Sequence, residues 1–148
     1  MSTYTQILYQ IVFSTKNREK TMIVSGQEKL YGYITGVLKN KNCHLYRING
    51  IEDHIHIATH IHPSISLAQL IKDIKLAADD FIKTGGIFPA FTGWQVGYGA
   101  FTYSISAKED LIKYIIDQKE HHKKITFIEE YIKLLKEHNI EFDERYLF

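Results

Sequence analysis

Four times along the chain a serine or threonine is followed three positions later by glutamate or glutamine, just ahead of an amphipathic run: Ser25 with Glu28, Ser66 with Gln69, Ser106 with Glu109, and Thr126 with Glu129. A hydroxyl so placed accepts from a free helix N–H while the acid or amide reaches back to the cap. Four helices are therefore predicted, at about 27–41, 66–83, 107–122 and 127–138. Leu30, Tyr33, Ile34, Val37 and Leu38 form the apolar stripe of the first. Leu67, Leu70, Ile71, Ile74 and Phe81 form that of the second.

Between these segments the apolar period is two. Thr5, Ile7, Tyr9, Ile11 and Phe13 are apolar or β-branched at alternate positions, with Gln6, Gln10 and Ser14 between them, although Leu8 and Val12 share the polar side. Residues 43–49 and 53–61 read as two more strands joined at Asn49-Gly50, a turn dipeptide. Trp94 to Ser104 reads as a fourth, with Gly97 and Gly99 marking a bend or a close backbone approach, and 84–93 as a long loop. The order β-α-β-β-α-β followed by two helices predicts an α+β, ferredoxin-like antiparallel sheet, with helices on one face and the other open.

Alternation sends Ile55 and Ile57 toward the helices and His54 and His56 together onto the open side. His60 and His62 are weaker ligand candidates, because Pro63 ends the strand. On the third helix Tyr114 and Gln118 lie one turn apart, about 6 Å along the axis. They sit at the edge of the stripe made by Leu111, Ile112, Ile115 and Ile116. Two imidazoles and an amide oxygen suit a divalent cation. A tyrosine at a stripe edge is more often packing, and spacing leaves both readings open.

A length of 148 residues predicts one domain, 1–148, with a real core. No apolar run approaches ~18 residues, so neither a membrane span nor a signal peptide is expected and the cytoplasm is the expected compartment. The single Cys43 excludes an internal disulfide framework and a cysteine-rich zinc site, and is expected to be a small buried residue. Net charge is +1, which argues against a strongly basic nucleic-acid binder. The distribution is uneven, however: residues 1–50 carry seven bases against two acids, and 129–144 six acids against Lys133 and Lys136. A neutral total can hide a basic face.

Five stretches in order carry a resemblance: Phe13-Ser14-Thr15-Lys16-Asn17-Arg18, Asp53-His54-Ile55-His56-Ile57, Trp94 through Phe101, Tyr114-Ile115-Ile116-Asp117-Gln118, and the tail from Glu120-His121-His122 to Asp143-Glu144-Arg145-Tyr146. In these the chain resembles the single-tyrosine HUH transposases, small enzymes of bacterial insertion sequences that move as single-stranded DNA. The resemblance implies that His54, His56 and Gln118 bind Mg²⁺ or Mn²⁺ and that Tyr114 is the nucleophile, leaving a 5′-phosphotyrosine. Asp53 would orient the site or cap the turn, with the turn favoured. The resemblance also implies a homodimer, for which Phe127, Ile128, Tyr131, Ile132 and Leu135 offer an apolar face. The DNA would be a folded hairpin with a short unpaired guide, held by basic and aromatic groups on the open side, and Lys16, Arg18, Arg47, Lys72 and Lys75 are the candidates to hold it. Where relatives often carry hydroxyl or basic residues on the second helix, this chain has Ala77-Ala78-Asp79-Asp80. The alternatives are a nucleic-acid-binding module without chemistry and a metal-stabilised structural dimer.

Overall fold

The alternating and helical periods resolve, in a computed structural model that describes residues 2–147, into four strands and five helices. In chain order these are β1 (Leu8–Ser14), α1 (Val24–Asn40), β2 (His44–Ile51), β3 (His54–His60), α2 (Leu67–Gly85), β4 (Gly99–Tyr103), α3 (Lys108–Ile116), α4 (Gln118–His121) and α5 (Phe127–Glu137). The sheet runs β2-β3-β1-β4 with every neighbour antiparallel, which is the ferredoxin-like arrangement expected. Among the described residues no helix is long and apolar enough to cross a membrane.

One sheet face presents Ile11, Phe13, Ile55 and Ile57 to Leu30, Ile34 and Leu38 of α1 and to Leu70, Ile71, Ile74, Ala78 and Ile82 of α2. Each large aliphatic side chain taken wholly from water here contributes roughly 1.5–3 kcal/mol. Cys43 belongs to this core, as expected. Ala78 does as well, so this small residue on α2 serves packing.

The second face is not open. Val12 and Phe101 are covered by Phe127, Leu134 and Leu135 of α5, and Leu8 and Ala58 by Leu111 and Ile115 of α3. Leu8 and Val12, the apolar residues on the nominally polar side of β1, are what this second layer packs on. The apolar stripe of α5 is thereby used within the chain, and is not the free partner surface expected of it.

Two of the four capping signals operate. Ser66 accepts from the Gln69 N–H at 3.1 Å, and Thr126 with Glu129 forms a complete reciprocal box. Ser25 caps nothing, because α1 already begins at Val24. The start is set by Met22, whose N–H donates to the Glu52 carbonyl at 3.0 Å and whose own carbonyl accepts from Gln27 Nε2 at 2.8 Å. Ser106 falls in a single 3₁₀ turn, its hydroxyl paired with that of Ser104 at 2.7 Å.

The hairpin turn lies at Glu52-Asp53 rather than at Asn49-Gly50, and β2 runs on to Ile51. Gly50 is a strand residue held to glycine by crowding, since a Cβ there would collide with the His54 carbonyl oxygen. β4 is shorter than predicted: Trp94 makes only an isolated bridge to Thr15. Gly97 bends the chain with φ +93°, and a Cβ on Gly99 would sit 2.7 Å from the Tyr131 ring. The third predicted helix is broken at Asp117, between α3 and α4.

Candidate metal centre and nucleophile

His54 and His56 project from β3 toward the α3–α5 layer and are both 0% exposed. Each ring is held from behind. His54 Nδ1–H donates to Asp53 Oδ1 at 2.6 Å, and His56 Nδ1–H to Gln10 Oε1 at 2.7 Å, with Gln10 Nε2 donating on to Tyr103 Oη at 2.7 Å. A donor bond at Nδ1 leaves Nε2 as the ligand atom and fixes the ring plane, the usual arrangement behind a metal-binding histidine. Asp53, favoured as a turn cap, therefore spends its side chain on orienting His54.

Gln118 arrives through the break after α3. Asn49 Nδ2 donates to the carbonyls of Ile115 at 3.0 Å and Ile116 at 3.1 Å, so Asn49, a strand residue and not a turn former, fastens the end of the tyrosine helix to β2. Gln118, fully buried, places Oε1 3.1 Å from His54 Nε2 and 3.0 Å from His122 Nε2. His54, His56 and Gln118 are thus brought together as expected.

Two further residues occupy the centre. Glu130 of α5 is 0% exposed, with Oε1 3.2 Å from His54 Nε2, 3.0 Å from His56 Nε2 and 3.0 Å from His122 Nε2. Gln118 Nε2 donates to Glu130 Oε2 at 2.9 Å. His122 Nδ1–H donates to the Ile125 carbonyl at 3.0 Å, which turns its Nε2 inward as well. The ligand atoms of His54, His56, His122 and Glu130 all lie within 4.8 Å of one another, a spacing that can hold a metal ion. The signal for Glu130 was present in the sequence. It stands on the inward stripe of α5 with Phe127, Tyr131, Leu134 and Leu135, where an acid has no business without partners. His122 follows Gln118 by one helical turn.

Tyr114 donates its hydroxyl to Glu130 Oε2, and its ring lies 5.8 Å from that of His56. The phenol and the histidine pair therefore meet within one chain. Burial, then the Glu130 charge, pushes the Tyr114 pKa upward. Burial pushes His54 down, but hydrogen bonds to Asp53 and Glu130 outweigh it and its pKa is raised to about 8. For His56 burial wins, and its pKa falls to about 4. Burial alone would raise Glu130, yet His56, His122 and His54 together hold it well below the usual carboxylate range.

Two hollows flank the centre. One of about 290 Å³ is lined by Asp110, Lys113, Tyr114, Asp117 and His121, and gives solvent a route to the phenol. The other, about 160 Å³, lies between the end of β1, residues 95–98 and α5, and is walled by Tyr98, Phe127, Tyr131 and Tyr146. Phe127 stacks on His54 at 4.2 Å, so this aromatic hollow is one ring away from the candidate ligands.

The five basic candidates do not form one patch. Lys16 is exposed and Arg18 half-buried in the turn after β1, which is bound to residues 93–95 through Lys16 N–H to the Gly93 carbonyl and Asn17 N–H to Gln95 Oε1, both at 2.9 Å. Lys75 reaches the same loop but is used internally. Its ammonium donates to the carbonyls of Gln95 at 2.9 Å and Gly97 at 2.6 Å, and burial lowers its pKa. Lys72 is exposed on α2, and Arg47 is exposed on β2 at the opposite edge of the sheet from β4. His60 and His62 brace local backbone, at Ile7 and Ser64 respectively, away from the centre.

The sequence pattern of the IS200-like transposases matches residues 3–118. Among solved structures, a presumed transposase from Deinococcus radiodurans R1 superposes with a TM-score of 0.61 at 18% identity, covering 80% of this chain and 95% of that one. A REP-associated tyrosine transposase bound to a REP hairpin superposes with a TM-score of 0.62 at 14% identity, covering 84% of this chain and 76% of that one. At these identities the likeness is one of fold. No curated protein matches the chain.

Proposed function

Because the chain belongs to the family of IS200-like transposases, we propose that it cleaves and rejoins single-stranded DNA at hairpin-marked ends, as one domain spanning 1–148, with Tyr114 as the nucleophile. The observation that carries this reading is the convergence of the Tyr114 hydroxyl and both imidazoles on the same buried carboxylate. The match to a hairpin-bound relative supports a folded DNA substrate.

His54, His56 and Gln118 would hold Mg²⁺ or Mn²⁺, which supplies polarisation of a non-bridging oxygen of the scissile phosphate. The donor set fits, since three acceptor atoms with their outer hydrogens already committed point to one spot. Tyr114 Oη attacks phosphorus in line, forming the phosphotyrosine bond as the 3′-oxygen departs with the other bonding pair. Glu130 is placed to take the phenolic proton. Attack by a 3′-hydroxyl on the phosphotyrosine reverses the step and rejoins DNA. The hollow beside Tyr114 is the route for the phosphate, and the aromatic hollow next to His54 receives an unpaired base. A homodimer would then serve DNA binding rather than completion of the site.

Incubation with hairpin-bearing single-stranded oligonucleotides and Mn²⁺ should give a denaturation-resistant protein–DNA species. Tyr114→Phe should abolish that species and keep hairpin binding. Binding without adduct in both proteins would replace this reading with that of a binding module.

A further inference from the structure

We infer that His122 and Glu130 complete the metal centre, and that Glu130 joins the metal to the nucleophile, giving a site of three imidazoles, a carboxylate and an amide that takes Mn²⁺ in preference to Mg²⁺. The inference rests on the metal reading above and adds two residues that follow the stretch matched by the family, which ends at 118.

The first ground is a surplus of acceptors. All three histidines donate from Nδ1 to fixed outer acceptors, namely Asp53, Gln10 and the Ile125 carbonyl. Their Nε2 lone pairs then face Glu130 Oε1 at 3.0–3.2 Å, and two of them also face Gln118 Oε1. Lone pairs aimed at lone pairs repel unless a proton or a cation lies among them.

The second ground is the carboxylate itself. Glu130 is completely buried, and among the described residues no lysine or arginine pairs with it. The groups facing it at 3.0–3.4 Å are imidazoles, and a buried carboxylate offset by imidazoles alone is costly. A divalent ion at the focus of these atoms would satisfy the carboxylate and the imidazoles together.

The third ground is the division of labour within Glu130. Oε1 faces the imidazoles, while Oε2 accepts from the Tyr114 hydroxyl and from Gln118 Nε2. The one carboxylate would thus hold an ion and the phenol in a set relation. As to the ion, Mg²⁺ favours oxygen ligands and dehydrates reluctantly, whereas imidazole nitrogen suits later first-row metals, Mn²⁺ included.

The test uses the full chain and the ions alone. In the Mn²⁺-loaded wild type, electron spin-echo spectroscopy should show three coupled imidazole nitrogens, and calorimetry should show Mn²⁺ binding tighter than Mg²⁺ by about 100-fold or more. Glu130→Gln and His122→Asn should each weaken Mn²⁺ binding about 10- to 100-fold. Two coupled nitrogens, with unchanged affinity in both variants and loss in His54→Ala, would overturn this inference and leave the three-ligand reading standing. Failure of the wild type to bind either ion would remove both. The count of nitrogens needs no variant, so it decides the matter even if a substitution prevents folding.

Discussion

Tyr114 on α3 and Glu130 on α5, sixteen positions apart, share a hydrogen bond from phenol to carboxylate, and the same carboxylate faces the imidazoles of β3. Burial and the neighbouring negative charge hold the phenol in its protonated form. Attack on phosphorus therefore has to be accompanied by proton loss, and Glu130 is the acceptor already in contact. Glu130→Gln should slow formation of the covalent DNA species by about 10²- to 10⁴-fold with hairpin binding preserved. Single-turnover assays that returned the wild-type rate would remove Glu130 from the reaction.

Asp53 acts on the centre through His54 alone, by its 2.6 Å hydrogen bond to Nδ1. Asp53→Ala frees the ring to turn and to change tautomer. Mn²⁺ affinity should drop about 10- to 100-fold, and DNA binding in chelator should not change. Equal metal affinity in calorimetry would return Asp53 to the role of a turn residue.

The two strand histidines give opposite pH dependences of stability in chelator. His54, raised to about 8, contributes stability that is complete below its ordinary 6.5 and is lost as pH rises through 8. His56, lowered to about 4, contributes stability that is present above 6.5 and is lost as pH falls through 4. Melting temperature should therefore peak near neutrality and fall on both sides, each limb worth about 2–3 kcal/mol. His54→Gln should flatten the alkaline limb selectively. An unchanged alkaline limb in that variant would assign it to another group.

Gly50→Ala should destabilise the chain by roughly 2 kcal/mol or more, since the added Cβ meets the His54 carbonyl oxygen, a backbone atom that cannot step aside. The same shift displaces His54, so metal affinity should fall together with stability. Denaturant melts showing a neutral substitution would mean that the hairpin tip relaxes freely.

Tyr98→Ala removes one wall of the aromatic hollow without touching the ligands. Binding of single-stranded DNA should weaken by about 1–3 kcal/mol. An abasic nucleotide at one position beside the cut should cost the wild type a similar amount and the variant nothing further. Additive losses in that double-mutant cycle would place the base elsewhere.

Local order was legible from the chain alone. Period two and period 3.6, read in sequence, determine β-α-β-β-α-β and send Ile55 and Ile57 to one side and the histidines to the other. These features depend on backbone geometry between near neighbours, so composition over a few residues is enough to specify them.

What closed the second sheet face, moved the hairpin tip to Glu52-Asp53, bound Lys75 to Gln95 and Gly97, and set Glu130 against His56 across 74 positions was packing between distant elements. An acid on the inward stripe of α5 announces itself as an anomaly, but nothing near it in sequence names its partners. Those follow from which helix lies over which strand, a choice made by the apolar surface of Leu8, Val12 and Phe101 that the C-terminal helices bury. The residue types of the centre were thus written in the chain, while their meeting point was decided only when the second layer folded over the sheet.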